Sequence, residues 1–355
     1  MHYLKKYYYF AYNYTHIPLS QMLRTSVTIK NIADELGISA STVSRALHDH
    51  PRIGKKTKER VNELAHKLHY VRNPAAMLLK KNKTMNIGVL LPFLKEEFFS
   101  MAISAIEDVV SPKNYHVMIS QSRDSFDREK KMVTSFLATR IDGLIASVSG
   151  ETNHYGHFKL LEEYGIPVVF FDRVPRNFEA NKVTSTVVSG VLEAIQFLVK
   201  KGVKRIALIN GPGNLQASDE RLNGYLESIS KFGLETSPAY IKSTGLTQEE
   251  NEQRMLELLN LEVPPEAVLT FNDYVALHAM SACRAKGITP NKDILFVSFA
   301  NLPITSLLEN PPIASVEQFA YKMGEKAAEL LLKSIDSDIE TPYETIMIDT
   351  ELRIH

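Results

Sequence analysis

Arg45 and the residues just before it are the first group in the chain whose types could do chemistry. In the run Ser39-Ala40-Ser41-Thr42-Val43-Ser44-Arg45, short side chains are followed by a long double donor. A helix that enters the major groove of DNA needs that combination. Small residues such as Ala40 and Ser41 allow close approach, and the Arg45 guanidinium can donate two hydrogen bonds to a guanine edge. Thr42 and Ser44 carry hydroxyls that can reach phosphate oxygens, which set register rather than sequence.

A second group lies where apolar runs end. Asp172-Arg173 closes the run Val168–Phe171, Asn272-Asp273 closes Ala267–Phe271, and Arg221 follows a run ending at Asn210. Phe98-Phe99 follow Ile87–Leu91 in what reads as a loop able to close over a sugar. Ligands of open α/β sheets bind beyond the carboxyl ends of the strands. A polar ligand needs a few convergent donors and acceptors and an apolar or aromatic wall. Asp172, Arg221 and Asn272 would supply the first, and Phe98 and Phe99 the second. Each also has a local explanation: Asp172 can cap a helix or pair with Arg173, and Arg221 can sit in a structural salt bridge.

Little in the chain points to catalysis. Gly211-Pro212-Gly213 lacks the full spacing of a dinucleotide loop, and its proline removes an N–H donor. His66 and His69 share a helix face without a cysteine or carboxylate cluster beside them, which argues against a metal site. No nucleophile-elbow G-x-S-x-G occurs. We therefore expect no catalytic residues, no metal and no cofactor.

The elements that must position these residues fall into two kinds. In Val27–Leu47, Ile29, Ile32, Ala33 and Leu36 recur at helical spacing, Gly37 suits a helix end and Ser39 suits the next N-cap. Helix, glycine-containing turn and short polar-faced helix make a helix-turn-helix. A third helix is expected from Lys55 to about His69. Asn73-Pro74 would then start a helix of about two turns, too short to be stable alone. It carries Leu79 beside Lys80, and an exposed leucine flanked by lysines can wedge between base steps in the minor groove. From Met85 onward, short apolar runs alternate with helical segments. That pattern predicts doubly wound α/β units with buried parallel sheets.

Charge is divided in the same way. The 355 residues carry 41 Lys/Arg and 41 Asp/Glu. Met22–Thr84 holds thirteen basic and five acidic residues, whereas Met85–His355 holds twenty-six and thirty-six. A basic head on an acidic body points to a polyanion at one end. The one cysteine, Cys283, fits a reducing cytoplasm, and no run of about 18 apolar residues predicts a membrane span. Residues 1–21 hold six tyrosines without amphipathic logic or the features of a signal peptide. They read as a disordered extension, or as upstream of a natural start at Met22.

TIKNIADELGISASTVSRAL together with NPAAMLLKK closely resembles the DNA-binding head and hinge helix of the lac/galactose repressor family. The helix-turn-helix alone is common; the added hinge makes the match specific. The resemblance continues through the body and implies a lambda-repressor-like head, a hinge, and a two-lobed periplasmic-binding-protein-like domain with an effector cleft. It assigns base reading to Ala40, Ser41 and Arg45, and mainly backbone contacts to Thr28, Ser39, Thr42, Ser44 and Arg52. Leu79, beside Lys80, falls on the leucine that intercalates at the operator centre. Asp172, Arg221 and Asn272 match effector contacts.

The expected segments are an extension 1–26, a head 27–72, a hinge 73–84 and a body 85–355. The body would have one lobe of 85–186 and 314–338 and another of 187–313 and 339–355, the chain crossing back near Pro311–Ser315. Two departures stand out. Ser298-Phe299-Ala300-Asn301 replaces a pattern like GYDD, and Thr186-Val187-Val188 replaces an acidic pair. Both weigh against the usual grip on a common hexose and leave room for a different effector, a phosphorylated one or a protein cofactor. The implied function is a cytoplasmic repressor that binds double-stranded operator DNA as a homodimer and responds to a small molecule, a sugar or sugar derivative. The absence of a heptad tail after Leu352 favours a dimer over a tetramer. The alternative is a solute-binding protein without DNA function.

Overall fold

The computed structural model describes residues 27–70, 83–337 and 342–355. The expected extension 1–26 and residues 73–82 of the expected hinge, including Leu79 and Lys80, lie outside the described residues. The chain divides into two compact units, with the boundary between Asn82 and Lys83.

The head is built by its caps. Helix α1 (Ile29–Leu36) starts at Thr28, whose hydroxyl accepts from the Asn31 N–H at 3.3 Å while the Thr28 N–H donates back to Asn31 Oδ1 at 2.9 Å. Such a reciprocal box satisfies two amides that no helical carbonyl can reach. Gly37, at φ 65°, ends α1 in the left-handed region that a Cβ disfavours. Ser39 then caps α2 (Ala40–Leu47) through the Thr42 N–H at 3.1 Å, and Gly54 opens α3 (Lys55–Lys67). Ile32, Val43 and Val61 are completely buried and pin the three helices together. Each such side chain contributes about 1.5–3 kcal/mol of apolar burial.

The body contains two six-stranded sheets. The first runs in the order β11-β5-β4-β3-β1-β2 and comprises β1 (Asn86–Leu91), β2 (His116–Gln121), β3 (Gly143–Ala146), β4 (Val168–Phe171), β5 (Asn181–Ser185) and β11 (Thr345–Ile348). The second runs β12-β10-β9-β8-β6-β7, from β6 (Ile206–Asn210), β7 (Ile241–Ser243), β8 (Ala267–Thr270), β9 (Leu295–Ala300), β10 (Ala314–Glu317) and β12 (Glu351–Ile354). All pairings are parallel except β10 with β12. Helices cover the sheets, so β3, β4, β6 and β8 are buried along their whole length.

Two boundaries differ from the sequence reading. β10 belongs to the second sheet, pairing with β9, although residues from 314 onward were expected in the first lobe. β11 belongs to the first sheet, pairing with β5, although 339–355 was expected in the second. Both strands have only four residues, and β11 buries fully only Ile348, so neither has a strong apolar run. The chain therefore passes between lobes at Thr186, at Gln318–Phe319 and near Thr350. The crossings brace one another: the Thr186 N–H donates to Ile348 O at 2.9 Å, the Thr350 N–H to Thr186 Oγ1 at 3.0 Å, and Gln318 Nε2 to Ser185 Oγ at 3.0 Å.

The first lobe also depends on one close approach. Helix α4 (Glu97–Val110) packs on α11 (Ala320–Asp336), and a Cβ on Gly324 would stand 2.3 Å from Ala102 O. No helix described here is long and apolar enough to cross a membrane.

Candidate functional site

The head presents one polar face. Ala40, Ser41 and Arg45 are exposed on α2, and Thr42 and Ser44 are half-buried beside them. The Ser39 hydroxyl lies 2.8 Å from both Ser41 Oγ and Thr42 Oγ1, so three hydroxyls form a linked row at the helix start. Arg45 makes no ion pair with any described residue, which leaves its five N–H donors for a partner. Thr28 is exposed at the start of α1, and Arg52 is exposed in the turn between α2 and α3. The structure thus places every described residue of the expected DNA contact set on the surface of the head. Leu79 and Lys80 are outside the described residues.

In the body, five residues chosen from sequence line a single cavity: Phe98, Phe99, Asp172, Arg221 and Asn272. They come from both lobes. Asp172 follows β4, and Phe98 and Phe99 sit in the first turn of α4. Arg221 lies on α8 (Gln216–Phe232), and Asn272 is the N-cap of α10 (Asp273–Ala285). The phenylalanines are therefore helical and buried, not part of a loop as expected. The apolar spacing of Phe98, Phe99, Ala102 and Ile106 carries the helix back to Glu97. Phe99 meets Phe98 and Phe171 edge-on at 5.5 and 6.2 Å, so the pair is wall and core together.

Arg221 is the centre of the cleft. Its Cζ lies 4.2 Å from the Phe271 ring centroid and 4.4 Å from that of Phe299, so the guanidinium is held between two aromatic rings. Nη1 donates to Ala217 O at 3.0 Å and Nη2 to Gln318 Oε1 at 3.5 Å, while Nε is buried without an acceptor. Burial lowers its pKa to about 10, opposed by the charge of Asp172, so it stays protonated at neutral pH. Asp172 adopts φ 59°, in the left-handed region. Burial raises the pKa of its carboxyl, opposed by Arg173 and Arg221. Glu96 is shifted the same way for the same first reason. Arg173 is already committed to Asp124 at 2.7 Å. Asn272 Oδ1 accepts the Val275 N–H at 3.0 Å, which fixes the side chain and leaves both amide hydrogens free to donate to a ligand.

Glu96, Tyr274, Gln318, Ala300 and Leu302 also line the cavity and were not anticipated as contacts. Gln318 follows β10, a strand the apolar pattern did not reveal. Ala300, at φ 91°, places a methyl group where the GYDD pattern has a carboxylate. Beneath this loop Asp273 is completely buried. It accepts from the Leu302 N–H at 2.7 Å, from Ser315 Oγ at 2.8 Å and from Ser298 Oγ, and burial raises its pKa to about 6. Among the described residues no group of three or more His, Cys, Asp or Glu is placed to hold a metal.

Residues 28–73 match the bacterial regulatory proteins of the lacI family, and residues 84–354 match the periplasmic binding proteins and sugar binding domain of that family. This chain belongs to the LacI family. It is a DNA-binding transcriptional regulator, not an enzyme. The ribose operon repressor of Bacillus subtilis is 30% identical over 308 residues, 86% of this chain and 90% of that one. The HTH-type transcriptional repressor CytR of Escherichia coli K12 is 28% identical over 309 residues, 87% of this chain and 89% of that one. A LacI-family regulatory protein from Chloroflexus aggregans matches 76% of this chain and 98% of its own, with TM-score 0.64 and 26% identity. The lac repressor dimer bound to operator and the anti-inducer ONPF shares the fold: TM-score 0.81, 23% identity, 93% of this chain and 98% of that one.

Proposed function

We propose that this LacI-family regulator represses transcription as a homodimer, and that a small polar effector of the sugar type binds between Asp172, Arg221 and Asn272. The observation that carries the effector site is the convergence of side chains from both lobes on one cleft, with the Arg221 Nε–H lacking an acceptor at its centre. A ligand carbonyl or hydroxyl oxygen would meet Arg221 and the Asn272 amide, and ligand hydroxyls would donate to Asp172. Phe98, Phe99, Ala300 and Leu302 would supply the apolar walls.

The cleft encloses only about 40 Å³. Sites for small molecules run to several hundred Å³, roughly 300 or more. Binding therefore requires the lobes to separate or Arg221 to swing, and either movement turns occupancy into a change of body shape. Two heads read the halves of a near-palindromic operator, in the usual manner of helix-turn-helix dimers. Leu79, beside Lys80, would open the central base step. A protein that meets chromosomal operators works in the cytoplasm.

Selection of bound sequences from random duplex DNA tests the operator reading. A two-fold symmetric site with a central pyrimidine–purine step is expected, and no preferred sequence in any effector background would refute it. Arg221→Ala tests the cleft: effector response is expected to vanish while operator binding persists, and an intact response would remove Arg221 from the site.

A further inference from the structure

The body has a second cavity, of about 640 Å³, that shares no lining residue with the cleft. Its charged lining is cationic. Lys159 and Arg176 border it together with His154, and no carboxylate does. One wall is the start of helix α6 (Gly156–Glu163), which has no side-chain cap and no acidic residue in its first turn. The leading amides of such a helix find no acceptor within it and carry the positive end of its dipole. Asn177 and Asn214 add side-chain amides from two further loops.

Arg176 is the informative member. Its Nε is screened from solvent and has no acceptor. Its Nη2 reaches the other lobe, 2.6 Å from an Asp219 carboxylate oxygen and 3.3 Å from Gly213 O. The same guanidinium therefore borders the cavity and ties the lobes together.

We propose that this cavity is a second ligand site, for a small molecule carrying a phosphate group, and that the ligand competes with Asp219 for Arg176. A phosphate offers several acceptor oxygens on one tetrahedral centre. Lys159, the Gly156 N–H at the start of α6 and the Arg176 fork all border the cavity and offer donors to such a centre. Drawing Arg176 from Asp219 loosens the tie between lobes, so occupancy here and lobe closure are linked. By reciprocity, whatever closes the lobes changes affinity for the phosphate.

The test is calorimetric titration of the full chain with inorganic phosphate at constant ionic strength, with chloride as control. Saturable binding is expected. Lys159→Gln should weaken it about tenfold or more, and Asp219→Asn, which frees Arg176, should tighten it several-fold. Neither substitution touches Asp172, Arg221 or Asn272, so the result stands apart from the reading of the cleft. The same titration with glycerol 3-phosphate separates an ester from the free ion; stronger binding of either upholds the site. No saturable binding, or binding indifferent to Lys159→Gln, overturns the site. Weakening by Lys159→Gln without tightening by Asp219→Asn overturns the competition.

Discussion

Arg45 and Arg221 are the same side chain in opposite settings. Arg45 stands in water on α2, so if it reads a base its worth on DNA would come from geometry: two parallel hydrogen bonds to one base edge. Arg45→Ala is expected to weaken operator binding by about 1–3 kcal/mol and to relax choice at one base pair. Competition assays against operators varied at each position check this, and an equal loss on all sequences would move Arg45 to the phosphates. Arg221 is only 2% exposed, and its charge is tolerated because two rings and Asp172 face it.

Asp273 is another buried ionisable group that the fold must hold. Its carboxyl is raised from 3.8 to about 6, so it holds its proton more tightly folded than unfolded. The stabilisation from that proton is complete below about pH 4 and is lost as pH rises through about 6, a change of roughly 3 kcal/mol at most. Asp273→Asn keeps an acceptor for the Leu302 N–H and offers its amide to the two serine hydroxyls. The difference in urea stability between wild type and Asp273→Asn is expected to change across pH 4–6. A constant difference would show that Asp273 does not titrate there.

At the level of elements, what could be read from sequence depended on how local the determinant is. The head was legible because Thr28, Gly37, Ser39 and the inward Val43 and Ala46 act within a few residues of themselves. Asp172, Arg221 and Asn272 were legible because each follows a strand with a strong apolar run. Glu96 and Gln318 were not, since Gln318 follows a four-residue strand whose partner is set by tertiary contacts. The placement of β10 and β11 failed for the same reason. Phe98 and Phe99, expected as an aromatic wall, do line the cavity, but they were placed in a loop, because nothing at Glu96 gives a side-chain cap to mark the helix start. The contact of α4 with α11 could not be read at all. Gly324→Ala is expected to cost about 1–3 kcal/mol, since the Ala102 backbone must move away from the added methyl. A denaturation midpoint equal to wild type would show that the two helices separate freely.

For the whole molecule, the division of charge has a functional consequence that net charge conceals. Met22–Thr84 carries a net +8 and Met85–His355 a net −10. Phosphate contacts release condensed counterions, so the logarithm of operator affinity should fall linearly with the logarithm of salt, by about 0.9 for each phosphate neutralised. The acidic body adds repulsion toward DNA wherever it approaches the duplex, and salt screens that repulsion within about 10 Å at 0.1 M. The measured slope should therefore be shallower than the count of head cations facing phosphates. An isolated head, if it binds, should show the steeper slope. A sugar-type effector bound in the cleft as proposed would be neutral, and Arg221 and Asp172 would meet it away from bulk solvent, so effector affinity should hardly change over the same salt range. Fluorescence anisotropy with labelled operator and calorimetry with effector, both from about 50 to 200 mM salt, make the comparison. A flat operator slope would place the affinity in base contacts instead of phosphates. A steep effector slope would mean that the ligand is ionic, and would move the search toward anions.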